Sequence, residues 1–267
     1  MEDSGIVKTL SKFLSYVSRD STNWEFATPS GRAWFRGQRN AAKPPRPSIF
    51  RHEYNEHGLT NMFRYRAAAY APVPDRTGCT DQWLFLMQHF GVPTRLLDWT
   101  ESALAAIFFA VFQKDKDKPQ EDTDAAVWML HPLKMNALKE SIGKQDFPNT
   151  WANFQGNVVR NNIDRAFWTA GKPTRLPIAI LPTFDRSIMS SQKSCFTVQG
   201  SNESDFESLF QGTSLIRKGF FKKYLIPRDC CRKIEKELDR VGITNSAVFP
   251  DLKGLALELE QRFRLDK

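Results

Sequence analysis

The chain has 267 residues, of which 41% are hydrophobic and 25% are charged. This length supports one large domain or two small ones, and this composition excludes a chain that is disordered throughout. The formal net charge of +8 favours polyanionic partners such as nucleotides or nucleic acid, but the basic residues are spread out and form no compact block.

The predicted elements of the first half are, in chain order, a helix at 6–19, a strand at 33–37, a helix at 53–71 with a break at Gly58, a helix at 81–91, a strand or loop at 94–99, and an apolar helix that begins at Thr100. The first helix is predicted from apolar residues at helical spacing. In the fourth element Asp81 is the expected N-cap, and Gly91 and Pro93 end the helix.

The predicted elements of the second half are a strand at 125–132, a polar helical region at 133–170, strands at 176–182, 196–200 and 222–227, and a helix at 229–242. The segment 246–252 then leads into a last helix that ends at Leu259. No internal repeat or linker divides the chain. The pattern predicts one α+β domain, with small mixed or antiparallel sheets flanked by helices. We expect an N-terminal helical segment at 1–29, the main domain at 30–258, and a tail at 259–267.

The sequence predicts neither export nor a membrane span. The N-terminus has no apolar signal core, and the longest apolar run, 103–112, is too short to cross a bilayer. None of the four cysteines is spaced as a C-x-x-C or zinc pair. Free thiols in a reducing cytoplasm and no metal site are therefore expected. Phosphate-binding Walker loops and G-x-S-x-G nucleophile elbows are also missing from the sequence.

The most informative segment runs from Gln88 to Phe112 and places many polar side chains directly before an apolar helix. These polar residues are Gln88, His89, Thr94, Arg95, Asp98, Thr100 and Glu101. A helix N-terminus offers backbone N–H groups and a positive dipole end to nearby groups. The segment therefore predicts a binding site for an anionic ligand.

Several motifs make the chain resemble the FRG domain family, which is named for its Phe-Arg-Gly motif. They are WFRGQ at 34–38, PSIFR at 47–51, MQHFGVPTRLLDWTES at 87–102, DAAVW at 124–128, KYLIP at 223–227 and GITNSAVFPDLKGLA at 242–256. The resemblance extends over most of the chain, from about residue 30 to residue 258.

FRG domains in turn resemble a divergent ADP-ribosyltransferase fold, and this resemblance implies three site elements. A first strand carries an Arg or His that contacts NAD+, which corresponds to Arg36. A Ser-Thr-Ser strand leading into a helix corresponds to the segment 98–102, and a later strand with a catalytic Glu corresponds to 185–198. Arg186 and Gln192 stand where the Glu would be sought, and Glu101 is the best local carboxylate for stabilising an oxocarbenium-like transition state.

Each candidate residue keeps a structural alternative. Arg36 is expected either to bind a phosphate or ribose oxygen of NAD+ or to form an internal ion pair with Asp98 or Glu101. Gly37 would let the backbone approach the ligand closely. Arg95 and Asp98 either pair with each other or bind phosphate and ribose, respectively.

The remaining candidates also have two interpretations each. His89 is either a core histidine or a ligand contact, and Trp99 could stack on an aromatic ring of the ligand. Thr100 is a candidate helix cap and ribose contact, and Glu101 either complements the helix dipole or stabilises the transition state. Gln192 could hydrogen-bond to ribose or to the target of the reaction.

Two functional hypotheses follow. The first is an NAD+-dependent ADP-ribosyltransferase or NAD+ glycohydrolase that uses NAD+ as its substrate, acting as a toxin or antiviral defence protein, with a protein or nucleic-acid acceptor and a regulatory partner protein. The second is a non-catalytic sensor module that binds nucleotides or nucleic acid, which would show salt-dependent binding without NAD+ consumption. A nuclease is a weaker third hypothesis, because few carboxylates lie near the predicted site.

Overall fold

The computed structural model describes residues 5–24, 31–70, 73–74, 80–113, 123–138, 163–164, 166, 173–182, 193–213, 216 and 219–264. Statements about the structure below refer to these residues. In this part of the chain, no helix is long and apolar enough to cross a membrane.

Seven strands form one mixed sheet. They are β1 (Gly5–Ile6), β2 (Trp34–Gln38), β3 (Leu96–Thr100), β4 (Ala125–Leu130), β5 (Ile178–Ile180), β6 (Ser194–Val198) and β7 (Phe221–Ile226). Their order is β1-β7-β4-β2-β3-β6-β5, and every neighbouring pair is antiparallel except β1 and β7.

The predicted α+β class is confirmed, but the expected small sheets are replaced by a single larger one. The joining element is β4, which pairs along its length with β2 on one side and with β7 on the other. All six residues of β4 are buried. A strand covered on both faces lacks polar alternation, so its sequence does not reveal which strands it joins.

Nine helices flank the sheet in the described ranges. They are α1 (Leu10–Asn23), α2 (Glu56–Ala67), α3 (Thr80–His89), α4 (Ala103–Val111), α5 (Pro132–Asn136), α6 (Phe206–Phe210), α7 (Arg228–Arg240), α8 (Asn245–Val248) and α9 (Leu252–Phe263). The predicted helix at 6–19 begins later than expected, because Thr9 caps α1 by accepting a hydrogen bond from the Lys12 amide at 3.1 Å. Most of the predicted helical region at 133–170 lies outside the described residues.

Alternate residues of the strands pack into different hydrophobic cores on the two faces of the sheet. Val127 and Met129 of β4 pack with Phe35 and helices α1, α4 and α7. Trp128 and Leu130 pack on the other face with Trp34, Trp99 and helix α6. This division follows from the period of two along a strand and leaves the centre of the sheet covered on both sides.

A buried carboxylate fixes α1 to the sheet. Asp20 is 1% exposed and accepts hydrogen bonds from Arg19 Nε at 2.8 Å and from the Tyr224 hydroxyl at 2.6 Å. Lys222 Nζ lies 2.9 Å from Oδ1, the oxygen that also accepts from Arg19, while Tyr224 donates to Oδ2. Burial raises the pKa of Asp20, but the hydrogen bonds from Arg19, Lys222 and Tyr224 outweigh burial and bring this pKa down to about 2.

This contact predicts a loss of stability in acid. A carboxyl whose pKa is lower in the folded state stabilises the fold above its unfolded pKa, and that contribution disappears as the pH falls towards the folded pKa. The free energy of unfolding should therefore drop between the ordinary pKa of 3.8 and about 2. Asp20→Asn should lower it by about 2 kcal/mol at pH 7 and flatten this part of the profile.

Urea unfolding over a series of pH values measures both effects. Asp229→Asn is the matched control, because Asp229 is exposed in the first turn of α7. This control should keep the acid-dependent drop of the parent chain. An Asp20→Asn variant with the same pH profile as the parent would contradict the assignment.

Candidate functional site

The central strands β2 and β3 separate beside Arg36. β2 pairs with β4 along its whole length, from Trp34 opposite Leu130 to Gln38 opposite Ala126. In contrast, the register between β2 and β3 consists of the single pair Phe35 and Thr100, although both strands are fully described. The sheet is therefore open between its two central strands from Arg36 onward.

The Arg36 side chain lies in this opening. Its Nη1 donates a hydrogen bond to the backbone carbonyl of Asp98 at 2.8 Å and lies 3.9 Å from Asp98 Oδ2. The side chain is 17% exposed, and its buried Nε has no hydrogen-bond partner among the described residues. Burial lowers the pKa of Arg36 and nearby Arg51 lowers it further, whereas Asp98 raises it. The guanidinium is a mostly buried cation with an N–H group still available for a ligand.

Both interpretations of Arg36 are consistent with this geometry. The predicted contact with Asp98 is present, mainly through the backbone carbonyl and with the carboxylate further away. The Asp98 side chain is 54% exposed, so its oxygens also face solvent. Arg36 and Asp98 together offer a donor and an acceptor at the mouth of the opening, which suits a ligand with both an anionic group and hydroxyls.

A chain of hydrogen bonds orients the Asp98 carboxylate. Gln88, on the last turn of α3, donates from Nε2 to Asp98 Oδ2 at 2.7 Å. The Thr94 hydroxyl donates to Gln88 Oε1. The Thr94 backbone amide is held in turn by Ser48 Oγ at 3.1 Å. Because an amide cannot flip without breaking these bonds, the network fixes the carboxylate next to Arg36.

The start of α4 differs in detail from the prediction. Ser102, rather than Thr100, is the N-cap, and its side chain accepts a hydrogen bond from the Ala105 amide at 3.2 Å. Thr100 ends β3 and accepts from the Ser102 amide at 2.9 Å. The reason is geometric: β3 continues through Thr100, so the chain has room to enter the helix only two residues later.

Glu101 lies between β3 and α4, next to the start of β6. Its backbone amide donates to the Lys193 carbonyl at 3.1 Å. Its carboxylate is 29% exposed and 4.0 Å from Arg32 Nε, which is a loose ion pair with an exposed partner. The carboxylate is therefore held only weakly by Arg32.

Two predicted site residues, Arg95 and Trp99, instead have buried side chains that bond within the protein. Arg95 is 3% exposed and donates from Nε to Glu56 at 2.8 Å, from Nη2 to the same carboxylate, and from Nη1 to the Gln199 carbonyl at 3.2 Å. Trp99 is also 3% exposed and donates from Nε1 to Thr197 Oγ1 at 3.1 Å. These bonds occupy the polar groups of both side chains, so we leave both residues out of the candidate site.

The remaining candidates are placed as follows. Gly37 faces α4, where an added Cβ would lie 1.7 Å from the Ala106 carbonyl oxygen, so a helix rather than a ligand makes the close approach there. His89 ends α3, half-buried, with its ring 5.1 Å from that of Phe90. Gln192 lies outside the described residues.

Cys195, in β6 opposite Trp99, is a poor candidate for a nucleophile. Burial raises the pKa of Cys195 well above its ordinary value, and the charges of Glu101 and Asp98 raise it further. A thiol that holds its proton is a poor nucleophile. Cys195 packs in the core with Trp99, as expected for a small buried side chain.

Sequence reasoning missed Glu56 and Ser48. Glu56 neutralises Arg95 from the first turn of α2, and Ser48 anchors Thr94. Neither residue lies in the polar segment at 88–102. The sequence around a single Glu or Ser does not indicate that its side chain will pair with a distant residue. A buried arginine does require a carboxylate partner, but the sequence does not say which one.

The fold and site define a mixed α+β chain whose central sheet opens onto an arginine–aspartate pair. Residues 31–119 match the family model of the FRG domain. This range contains Arg36, Gln88, Asp98 and Glu101, and the match supports the FRG resemblance that the motifs predicted. No curated protein matches the chain, and no solved structure matches it either.

Proposed function

We propose that the opening at Arg36 binds NAD+ and that the chain transfers ADP-ribose to an acceptor or to water. One observation carries this proposal. The three elements implied by the ADP-ribosyltransferase resemblance fall on β2, on β3 with the following α4, and on β6, and these strands are adjacent in the order β2-β3-β6. Elements far apart in sequence thus lie on adjacent strands of one sheet, which supports a shared role.

The site chemistry suits a dinucleotide. Arg36 would donate from its unused Nε to a phosphate or ribose oxygen, and the oriented Asp98 carboxylate would accept from a ribose hydroxyl. Positive charge develops on the ribose as the bond from C1′ to nicotinamide breaks and its electron pair moves to the nicotinamide ring. Glu101, next to the start of β6, is the carboxylate that would stabilise this charge.

The new bond forms at C1′. A nucleophile on the acceptor, or a water molecule, attacks C1′ and releases a proton to solvent or to a nearby carboxylate. The distinction between a transferase and a glycohydrolase then depends on whether an acceptor side chain or water occupies the position facing C1′. Both reactions need the same positions of Arg36, Asp98 and Glu101.

A binding module without catalysis is the second candidate. Two observations favour it: the net charge of +8, and the electrostatic influence of Arg51 on Arg36, which indicates two neighbouring cations. Such a pair would hold a nucleotide or nucleic-acid phosphate. This candidate predicts binding that weakens steeply with salt and leaves NAD+ intact.

Nicotinamide release from NAD+ by the purified chain tests the first proposal. We expect the parent chain to release nicotinamide, and both Arg36→Ala and Glu101→Gln to reduce kcat/KM at least about 100-fold. The first removes the contact that positions a phosphate or ribose oxygen, and the second removes the carboxylate that stabilises the positive charge on the ribose. Assays should be repeated with cell lysate or nucleic acid added, which would supply an acceptor or a regulatory partner.

The matched control is Arg240→Ala, which removes an exposed arginine from the last turn of α7. It should keep the parent rate. Activity that survives the double variant Arg36→Ala with Glu101→Gln would overturn the proposal. If no variant or parent sample releases nicotinamide under any condition, but nucleotide binding is lost in Arg36→Ala, the binding module is the better description.

A further inference from the structure

A cavity lies at the C-terminal end of α4. Helix α4 (Ala103–Val111) has Ser102 as its N-cap and Phe112 as its C-cap. Around that C-terminal end, parts of α4, α7, α8 and α9 line a cavity of about 510 Å³. The size is within the range of pockets that hold small ligands. The function proposed above does not involve this cavity.

A pair of side-chain amides in this cavity is only half satisfied. Asn245 is 4% exposed and donates from Nδ2 to Gln261 Oε1 at 3.2 Å. The other polar atom of each amide, Asn245 Oδ1 and Gln261 Nε2, is buried without a hydrogen-bond partner among the described residues. Leaving two such atoms unpaired destabilises the fold, and both side chains line the cavity.

The unpaired atoms form one acceptor and one donor. This result does not depend on how the amides are oriented, because turning both amides would again leave one donor and one acceptor. A ligand that satisfies them must present a donor and an acceptor on the same edge. Nucleobases have this property, and Asn and Gln side chains often recognise them by paired hydrogen bonds of this kind.

The other walls of the cavity suit the rest of a nucleotide. Phe108 and Phe112 of α4 contribute aromatic rings, which can contact the face of a base. Arg232 and Lys236, one turn apart on α7, contribute two cations together with Arg262 of α9. The lining also contains the carboxylates Glu235, Asp239 and Glu258, so the phosphate of a bound nucleotide would lie on the side of the cavity where the cations of α7 and α9 outweigh them.

We propose that this cavity binds a nucleoside monophosphate. The base edge would hydrogen-bond to Asn245 and Gln261 after a small side-chain rotation, and the phosphate would lie against the cations of α7 and α9. Binding there would bear on the C-terminal end of α4, the helix whose backbone at Ala106 and Ala110 packs against Gly37 of β2. The inference stands independently of NAD+ chemistry, because it uses none of the residues at that opening.

Titration calorimetry with AMP, GMP, CMP and UMP tests the proposal, with ribose 5-phosphate as the baseless comparison. At least one nucleotide should bind with a Kd below about 1 mM, and ribose 5-phosphate should bind at least about tenfold more weakly. Gln261→Leu should weaken the nucleotide at least about tenfold, since it removes one hydrogen-bonding amide. Asn245→Leu is a second variant, used if its unfolding curve shows that it folds.

Two controls separate this cavity from the Arg36 opening. Gln211→Leu changes an exposed glutamine after α6 and should leave binding unchanged. Arg36→Ala should also leave it unchanged. Binding that is lost in Arg36→Ala but kept in Gln261→Leu would assign the nucleotide to the opening and overturn the inference. So would equal binding of ribose 5-phosphate, or the absence of any nucleotide binding in a folded parent chain.

Discussion

Gly37→Ala should destabilise the fold by about 3 kcal/mol or more. An added Cβ at Gly37 would lie 1.7 Å from the Ala106 carbonyl oxygen and 2.8 Å from the Ala110 nitrogen. Both atoms belong to the backbone of α4, which cannot move aside as a flexible side chain could. The helix would have to shift away from β2 and separate part of the core that joins Phe35 to α4.

Urea unfolding of the variant measures this loss, and Gly242→Ala provides the control. Gly242 has a φ of +81°, and no heavy atom lies within 4 Å of an added Cβ. Its substitution therefore introduces backbone strain without overlap and should cost only about 1 kcal/mol. If Gly37→Ala were no more destabilising than Gly242→Ala, the close contact between β2 and α4 would be contradicted.

The glycine of the Phe-Arg-Gly motif also shows what can be learned from sequence. The strand around it was predicted at 33–37 and is observed as Trp34–Gln38, because the aromatic and apolar pattern is local. What lies across from Gly37 is not local. The helix that covers it begins 66 residues later, at Ala103, so a close approach was predictable but the partner was not.

In the candidate site, too, local features were predictable from the sequence and contacts between distant segments were not. A contact of Arg36 with Asp98 was one of the alternatives predicted for Arg36, and the structure contains it, mainly through the Asp98 carbonyl. Asp98 is opposite Phe196 and Trp99 is opposite Cys195 in β6, and this register decides which side chains become buried. A one-residue shift would have exposed Trp99 and buried Asp98. The sequence contains the residues of the site but not this register.

Arg95 is the clearest example of a residue whose role depends on a distant partner, and Glu56→Ala should lower the free energy of unfolding by about 3 kcal/mol. Arg95 is 3% exposed, and Glu56 is its carboxylate partner. Without that carboxylate, a buried guanidinium would remain with only the carbonyls of Gln199 and Gly200. The pair joins α2 to the start of β3 and the end of β6.

The double variant Glu56→Leu with Arg95→Met should be more stable than Glu56→Ala, because replacing both charges avoids leaving one unpaired in the interior. Urea unfolding of the single and double variants gives this comparison. NAD+ binding by a folded double variant gives a second test, since the Arg95 guanidinium is bonded to Glu56 in the interior and is not expected to contact the ligand. A double variant that keeps its stability but loses binding would return Arg95 to the ligand site. Retained binding would leave Arg36 as the guanidinium that faces the ligand, with Arg95 holding the strand from which Asp98 reaches it.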